Sequence, residues 1–291
     1  MTIKTLPKFQ GRPLIEVPET MPVANFLVGD FGKAVLEEYN GRVKADYNNN
    51  DNLKVLSYNE DDGIVKGSNP FAVVLVNQIV EQEGLRTASQ ADLERILKVK
   101  ALPLIGQYED SSLVLRLDSN PNSYLAKHLN EQLKERDKKL KLPIMIPLNG
   151  LKLEADSDSS YGLAFKLKED AEIFYAPILN QCGYFNSEDV DKKTGLTTKT
   201  RRYEGERYNY TAERGLRGLC LSRVFGTDSY GDGLAASDEE GRVVLVRGEA
   251  TSQNLKQNIL TEINNEYSQQ HEKLIAKRDK ALSKALEIMK E

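Results

Sequence analysis

From Leu142 onward the large aliphatic residues come in short runs set off by turn-forming residues: Ile144-Met145-Ile146, Leu151 to Glu154, Leu163 to Leu167 and Ile173 to Ile178. Runs of this length are too short for helices and match the strands of an antiparallel sheet. Gly241 then introduces Val243-Val244-Leu245-Val246, the clearest strand in the chain. Upstream of the charged run Lys134 to Lys141, which Pro143 follows, the pattern is mixed. The fold class expected is therefore α+β: a mixed α/β region at 1–141, a β-rich region at 142–248 carrying a basic arm at 192–210, and a long amphipathic C-terminal helix at 249–291. No internal repeat interrupts this division.

Within the first region, Asp30 is placed to cap a helix that buries Phe31, Val35 and Tyr39 and stops at Gly41. Lys54 to Tyr58 reads as a strand. Ser68-Asn69-Pro70 supplies a cap and a proline at the first helical position, so Phe71 to Glu83 is expected to be a buried helix ending before Gly84. Its valines favour a strand, but length and caps outweigh propensity. Ser89 and Asp92 form a capping-box-like start for a helix that ends near Lys100, with Leu93, Ile96 and Leu97 on one face. Leu113 to Leu117 is a strand, the turn at Ser119 to Asn122 reverses the chain, and Tyr124 to Arg136 is a helix burying Leu125, Leu129 and Leu133. Farther on, Asn186 to Asn209 reads as a long loop or hairpin arm. Thr211 to Val224 reads as helical, despite Gly215 and Gly218.

After Gly248 there is neither glycine nor proline. At about 100° per residue, Leu255, Ile259, Ile263, Tyr267, Leu274 and Leu282 share one side of a helical wheel. A helix of about 40 residues is about 60 Å long. Such a rod outreaches a small domain, so these residues are expected to form an interface with another chain. Strict heptads are missing, which argues against a coiled coil.

The 291 residues are 40% apolar and 29% charged, which excludes disordered and collagen-like classes, and the net charge of −4 excludes a dedicated polyanion binder on total charge. Two cysteines, Cys182 and Cys220, fit a reducing compartment. Met1 to Gln10 lacks the apolar core of a secretory signal, and the longest apolar run, Phe71 to Val76, is too short for a membrane span. A cytoplasmic location is expected, and a virion component would have the same composition.

The residues that could carry chemistry are few. His128 and His271 are the only histidines, and neither has another strong ligand at metal-binding spacing. Phosphate-loop and dinucleotide-binding glycine patterns are missing. Asp156 to Leu167 begins like a calcium loop but has Tyr161 at the sixth position and Leu167 at the twelfth. Asp228 to Glu239 has Asp232, Gly233 and Glu239 in register, but Tyr230 stands where an oxygen ligand is required. No catalytic residue, metal or cofactor is assigned.

Residues 192–223 are distinctive. Nine basic residues stand against Glu204, Glu206 and Glu213, with tyrosines interleaved. Arg201, Arg202, Tyr203, Arg207, Tyr208, Tyr210, Arg214 and Arg217 are the candidate contact residues. Cations neutralise phosphates and aromatic faces stack on bases, the requirements of single-strand binding. Gly215-Leu216-Arg217-Gly218 also has the spacing of a KH-type loop, but four residues are too few to be specific. The next segment, Thr227 to Glu240, is acidic and has no basic residue. Opposite neighbouring charges suit subunit contact, and equally suit neutralisation within one chain. The function expected is a non-enzymatic interaction or assembly protein, a subunit of a larger complex that binds another protein chain by self-association. The alternative is a single-stranded nucleic-acid binder, and an enzyme with an unrecognised site comes third.

Overall fold

The computed structural model describes Ile15, Val17, residues 23–231 and 233–248, and beyond them His271, residues 274–278 and Lys280. The first region contributes β1 (Ala24–Phe26), α1 (Gly29–Asp46), β2 (Ser57–Asn59), β3 (Ile64–Lys66), α2 (Pro70–Val80), β4 (Leu85–Thr87), α3 (Gln90–Val99), β5 (Tyr108–Leu115) and α4 (Ser123–Arg136). Strands β6 (Ile144–Pro147), β7 (Leu151–Ala155), β8 (Leu163–Leu167), β9 (Phe174–Tyr175) and β10 (Gly183–Phe185) come next. After them come β11 (Arg207–Thr211), β12 (Leu216–Leu221), β13 (Thr227–Ser229), β14 (Gly241–Arg242) and β15 (Val244–Arg247). The fold is mixed α+β.

The central helix is α2. Asn69 caps it by accepting from the Ala72 N–H at 2.8 Å, Pro70 opens it, and every residue except Gln78 is buried. Surrounded by α1, β4, β5 and β7, it is apolar except for Asn77 and Gln78, and its valines are helical because tertiary burial overrides propensity. At α3, Ser89 and Asp92 complete a capping box, and Lys100 ends the helix in a left-handed conformation. Helix α1 departs from expectation at both ends. Val28, not Asp30, is the N-cap, and the helix runs through Gly41 to Asp46. The cost of an internal glycine, about 1 kcal/mol, is offset beyond it by buried Val43 and Tyr47. Tyr47 also donates to the Leu153 carbonyl at 3.0 Å.

The main sheet has eight strands in the order β10-β11-β13-β12-β5-β6-β9, with β14 pairing β5 in parallel. Strand β5 is its axis, and both faces there are covered. Leu113 and Leu115 join the large core with α2 and α4, whereas Val114 joins Met145, Leu179, Leu196 and Leu219 on the other side. The large core draws residues from both sides of the 141/142 division. A separate sheet has the order β1-β15-β4, and β2-β3 and β7-β8 form two-stranded pairs.

The helix expected at 211–224 is instead β12. Gly215 adopts φ +70°, and a Cβ there would land on the Pro121 backbone; at Gly218 a Cβ would press within 3.2 Å of Pro70. Both glycines therefore serve strand geometry and close approach. The strand expected at Lys54 to Tyr58 begins only at Ser57, because Asp51–Leu53 form a short 3-10 turn capped by Asn50. In the C-terminal region the described helical residues are His271, 274–278 and Lys280, and Leu274 is exposed. These do not support a helix spanning 249–291. Leu255, Ile259, Ile263, Tyr267 and Leu282 lie outside the described residues. Among the described residues no helix is long and apolar enough to cross a membrane.

Candidate functional site

The period of a strand decides which arm residues face solvent. Along β11, Arg207, Asn209 and Thr211 point inward and are buried, so Tyr208 and Tyr210 point outward. Antiparallel pairing sets Tyr184 of β10 directly opposite Tyr208. The Tyr184 and Tyr208 rings meet edge-on with centroids 4.8 Å apart, and Tyr208 and Tyr210 are tilted at 4.5 Å. Tyr184 and Tyr210 are 38% and 43% exposed, which leaves a contiguous aromatic face at one end of the sheet.

The inner side holds that face rigidly. Asn209 donates to the carbonyls of Ile178 (3.1 Å) and Gln181 (2.8 Å) and accepts from Thr227 Oγ1 at 2.6 Å. Arg207 makes a two-pronged ion pair with Glu94 at 2.7 and 2.6 Å, donates to the Phe225 carbonyl and lies over the Phe185 ring. The two side chains are only 4% and 9% exposed, so Arg207 is structural and not an open contact residue.

Other basic residues are likewise engaged within the chain. Arg201 and Lys199 both pair with Asp189, at 2.6 and 2.9 Å, and hold its carboxyl down at about 2. Arg223 pairs with Asp238 and Glu240, so at this residue the basic and acidic segments do neutralise each other. Arg202 lies over the ring of Tyr203, which is 75% exposed. Arg214 is exposed, and half-buried Arg217 donates to the backbone carbonyls of Arg214 and Tyr230. The arm does not stand off the body: Leu196 and Thr197 are buried, and Gly195 abuts the backbone of Gln90 and Ala91. Of the eight candidate contact residues, the structure brings Tyr208 and Tyr210 together and sets Arg207 behind them. Arg214 and Arg217 follow Tyr210 in sequence and line a separate cavity.

A cleft of about 1170 Å³ lies among α3, the turn at 147–150, residues 168–172 and residues 187–193, lined by as many basic as acidic side chains. At its floor Asp92 is fully buried. Burial raises its carboxyl, but hydrogen bonds from Arg86 and Ser89 pull it below the usual carboxylate range. Beside β14, burial raises Asp110 to about 7 against a 2.6 Å hydrogen bond from Ser68 Oγ. Burial and the neighbouring Asp110 raise Glu109 to about 8, and neither of its carboxyl oxygens has a hydrogen-bond partner among the described residues. Burial also pushes the Cys220 thiol well above its ordinary value, which makes it a poor nucleophile.

His128 is half-buried, stacks beside Tyr124 and lies 3.3 Å from Gln132 Nε2, whereas His271 is exposed. Among the described residues no group of three or more His, Cys, Asp or Glu side chains is arranged to hold a metal. Both calcium-like segments contain ordinary aspartate turns. Asp156 accepts from the Asp158 N–H, and Asp228 from the Tyr230 N–H, each at 2.9 Å.

Compared with known proteins, the chain matches no family model, no curated protein and no solved structure. The surface residue missed in the sequence was Tyr184. Its place opposite Tyr208 depends on pairing across the intervening arm, which no local pattern encodes.

Proposed function

We propose that the protein is a non-enzymatic interaction protein, a self-associating subunit of a larger assembly, and that the tyrosine face of β10 and β11 is its contact surface. The observation that carries this reading is the continuous Tyr184-Tyr208-Tyr210 cluster on a rigid, hydrogen-bonded sheet end. Tyrosine is enriched at protein interfaces because it offers a large apolar area with a polar tip and few rotors, and a fixed backbone lowers the entropy lost on binding. The arm cations committed to Asp189 and Glu94 are not free for phosphates, which favours a protein partner. The two free cysteines fit work in the cytoplasm.

Single-strand binding is the second reading, favoured by Arg214 and Arg217, which follow Tyr210 in sequence. One pair of measurements separates the two. Solution mass over a range of concentrations should show an oligomer for the native chain and a monomer for Tyr184→Ser/Tyr210→Ser with an unchanged circular dichroism spectrum. Saturable oligothymidine binding that weakens steeply with salt and is lost in the same variant would move the assignment to nucleic acid. A monomeric native chain that binds no oligonucleotide overturns both.

A further inference from the structure

Arg116 follows β5 directly and is 3% exposed. Its Nε donates to the Leu179 carbonyl and to Asn180 Oδ1, both at 3.2 Å. Nη2 donates to the Leu179 carbonyl, Thr211 Oγ1 and Ser229 Oγ at 2.8, 2.5 and 2.7 Å. All these acceptors are neutral. No carboxylate among the described residues pairs with this guanidinium, and its Nη1 is buried without a hydrogen-bond partner there. Burial, and then the like charge of Arg217, lower Arg116 to about 10, so it stays cationic at neutral pH. Buried charges are expensive unless paired, and this one has no counter-charge in the described fold.

Thr211, which takes the 2.5 Å hydrogen bond from Arg116, also lines an open cavity of about 620 Å³ at the surface. Glu213, Arg214, Arg217 and Tyr230 share that lining. Arg214 and Arg217 thus line the cavity, Arg217 held there by hydrogen bonds to the Arg214 and Tyr230 carbonyls, and Arg116 lies behind it through Thr211, with Glu213 offsetting one charge. We propose that this cavity is a binding site for a phosphoryl group, taken as free phosphate or as a small phosphate monoester.

Charge and geometry both select the ligand. A carboxylate carries one negative charge and would leave the site positive. A phosphate monoester carries about −1.5 to −2 at pH 7 and presents three acceptor oxygens. Planar guanidinium forks match those oxygens better than ammonium groups do. Arg217 and Arg214 supply the direct contacts. Arg116 is a positioning residue: it holds Thr211 in the wall and adds its charge from below. This site is independent of the proposed self-association, because the tyrosine face can bind a protein whether or not the cavity is filled.

The test is isothermal titration calorimetry of the full chain with inorganic phosphate, and separately with glycerol 3-phosphate, at pH 7.5 and constant ionic strength. One saturable site is expected. Arg217→Gln should weaken binding at least tenfold, and Arg217→Lys by an intermediate factor. Lys134→Gln, an exposed position on α4, should leave binding unchanged. Tighter binding of glycerol 3-phosphate than of phosphate identifies an ester as the ligand, and the reverse order identifies the free ion. If Arg217→Gln fails to fold, exposed Arg214→Gln decides, with at least threefold weaker binding expected. The proposal is overturned if neither compound binds saturably, or if the folded arginine variants bind as tightly as the native chain.

Discussion

Truncating Arg207 to alanine should destabilise the protein severely, although its place among arginines and tyrosines in the sequence suggests a surface contact. Glu94 on α3 and Arg207 on β11 face each other through two hydrogen bonds at 2.6 and 2.7 Å, and both side chains are at least nine-tenths buried. Removing the guanidinium leaves the Glu94 carboxylate, 9% exposed at the wall of the cleft, with Gln90 Nε2 at 3.3 Å as its remaining side-chain donor. The loss expected for breaking a buried pair is about 3–5 kcal/mol. For a domain of this size that corresponds to a fall in Tm of about 6–20 °C. Urea denaturation followed by circular dichroism measures it. Arg202→Ala, which removes only an exposed stacking contact on Tyr203, should cost less than about 0.5 kcal/mol. The double variant Glu94→Leu/Arg207→Leu should recover a large part of the loss, because it leaves no lone charge behind. A cost below about 1 kcal/mol for Arg207→Ala would refute the assignment of this arginine to the core. Contact studies on the arm should therefore substitute Arg202, Tyr203 and Tyr210, leaving Arg207 in place.

Further measurements test other parts of the reasoning. The Glu109 carboxyl is raised in the fold to about 8, so the native state holds a proton that the unfolded chain releases above about pH 4.3. Its contribution is fully present below that pH and is lost as pH rises through about 8. Glu109→Gln should therefore gain stability relative to the native chain between pH 5 and pH 8, on the order of 3 kcal/mol, and equal urea midpoint shifts at the two pH values would refute this. Ser89→Ala removes half of the capping box on α3 and should cost about 1 kcal/mol by the same assay. Gly215→Ala forces a Cβ into left-handed backbone against Pro121 and should cost about 2 kcal/mol or more; a neutral result would mean that the turn before β12 is built differently.

The sequence was most legible where a local signal and the tertiary environment agree. Asn69-Pro70 and Ser89 with Asp92 announce α2 and α3 because capping involves residues at most three positions apart. The strands β6, β7 and β8 were readable in the same way, through short apolar runs with one or both faces buried, whereas the run Ile173 to Ile178 forms only the two-residue β9 before a 3-10 turn at Pro177–Asn180. Legibility failed where distant residues decide. Leu216, Leu219 and Leu221 recur at steps of three and two residues, which breaks the alternation expected of a strand. Two covered sheet faces and a bulge between Leu219 and Cys220 produce that spacing on a strand. At the site, Tyr208 and Tyr210 could be singled out by composition, but Tyr184 could not. The inward turn of Arg207 could not, since its partner lies 113 residues away. The lone charge of Arg116 was equally invisible, because an unpaired cation is recognised only when all its neighbours are known.

The placement of β15 also bears on how the chain is made. It is the middle strand of its sheet, yet among the described strands it is the last to leave the ribosome, while its neighbours β1 and β4 end at Phe26 and Thr87. At about 5–20 residues per second, Val244 to Arg247 arrive roughly 10–45 s after β1 and roughly 8–30 s after β4. During synthesis each presents unpaired backbone groups that other nascent chains could capture. A chain terminated just before Val244 would keep both edges open permanently, so premature termination there is expected to yield aggregates, whereas release after β15 closes the gap.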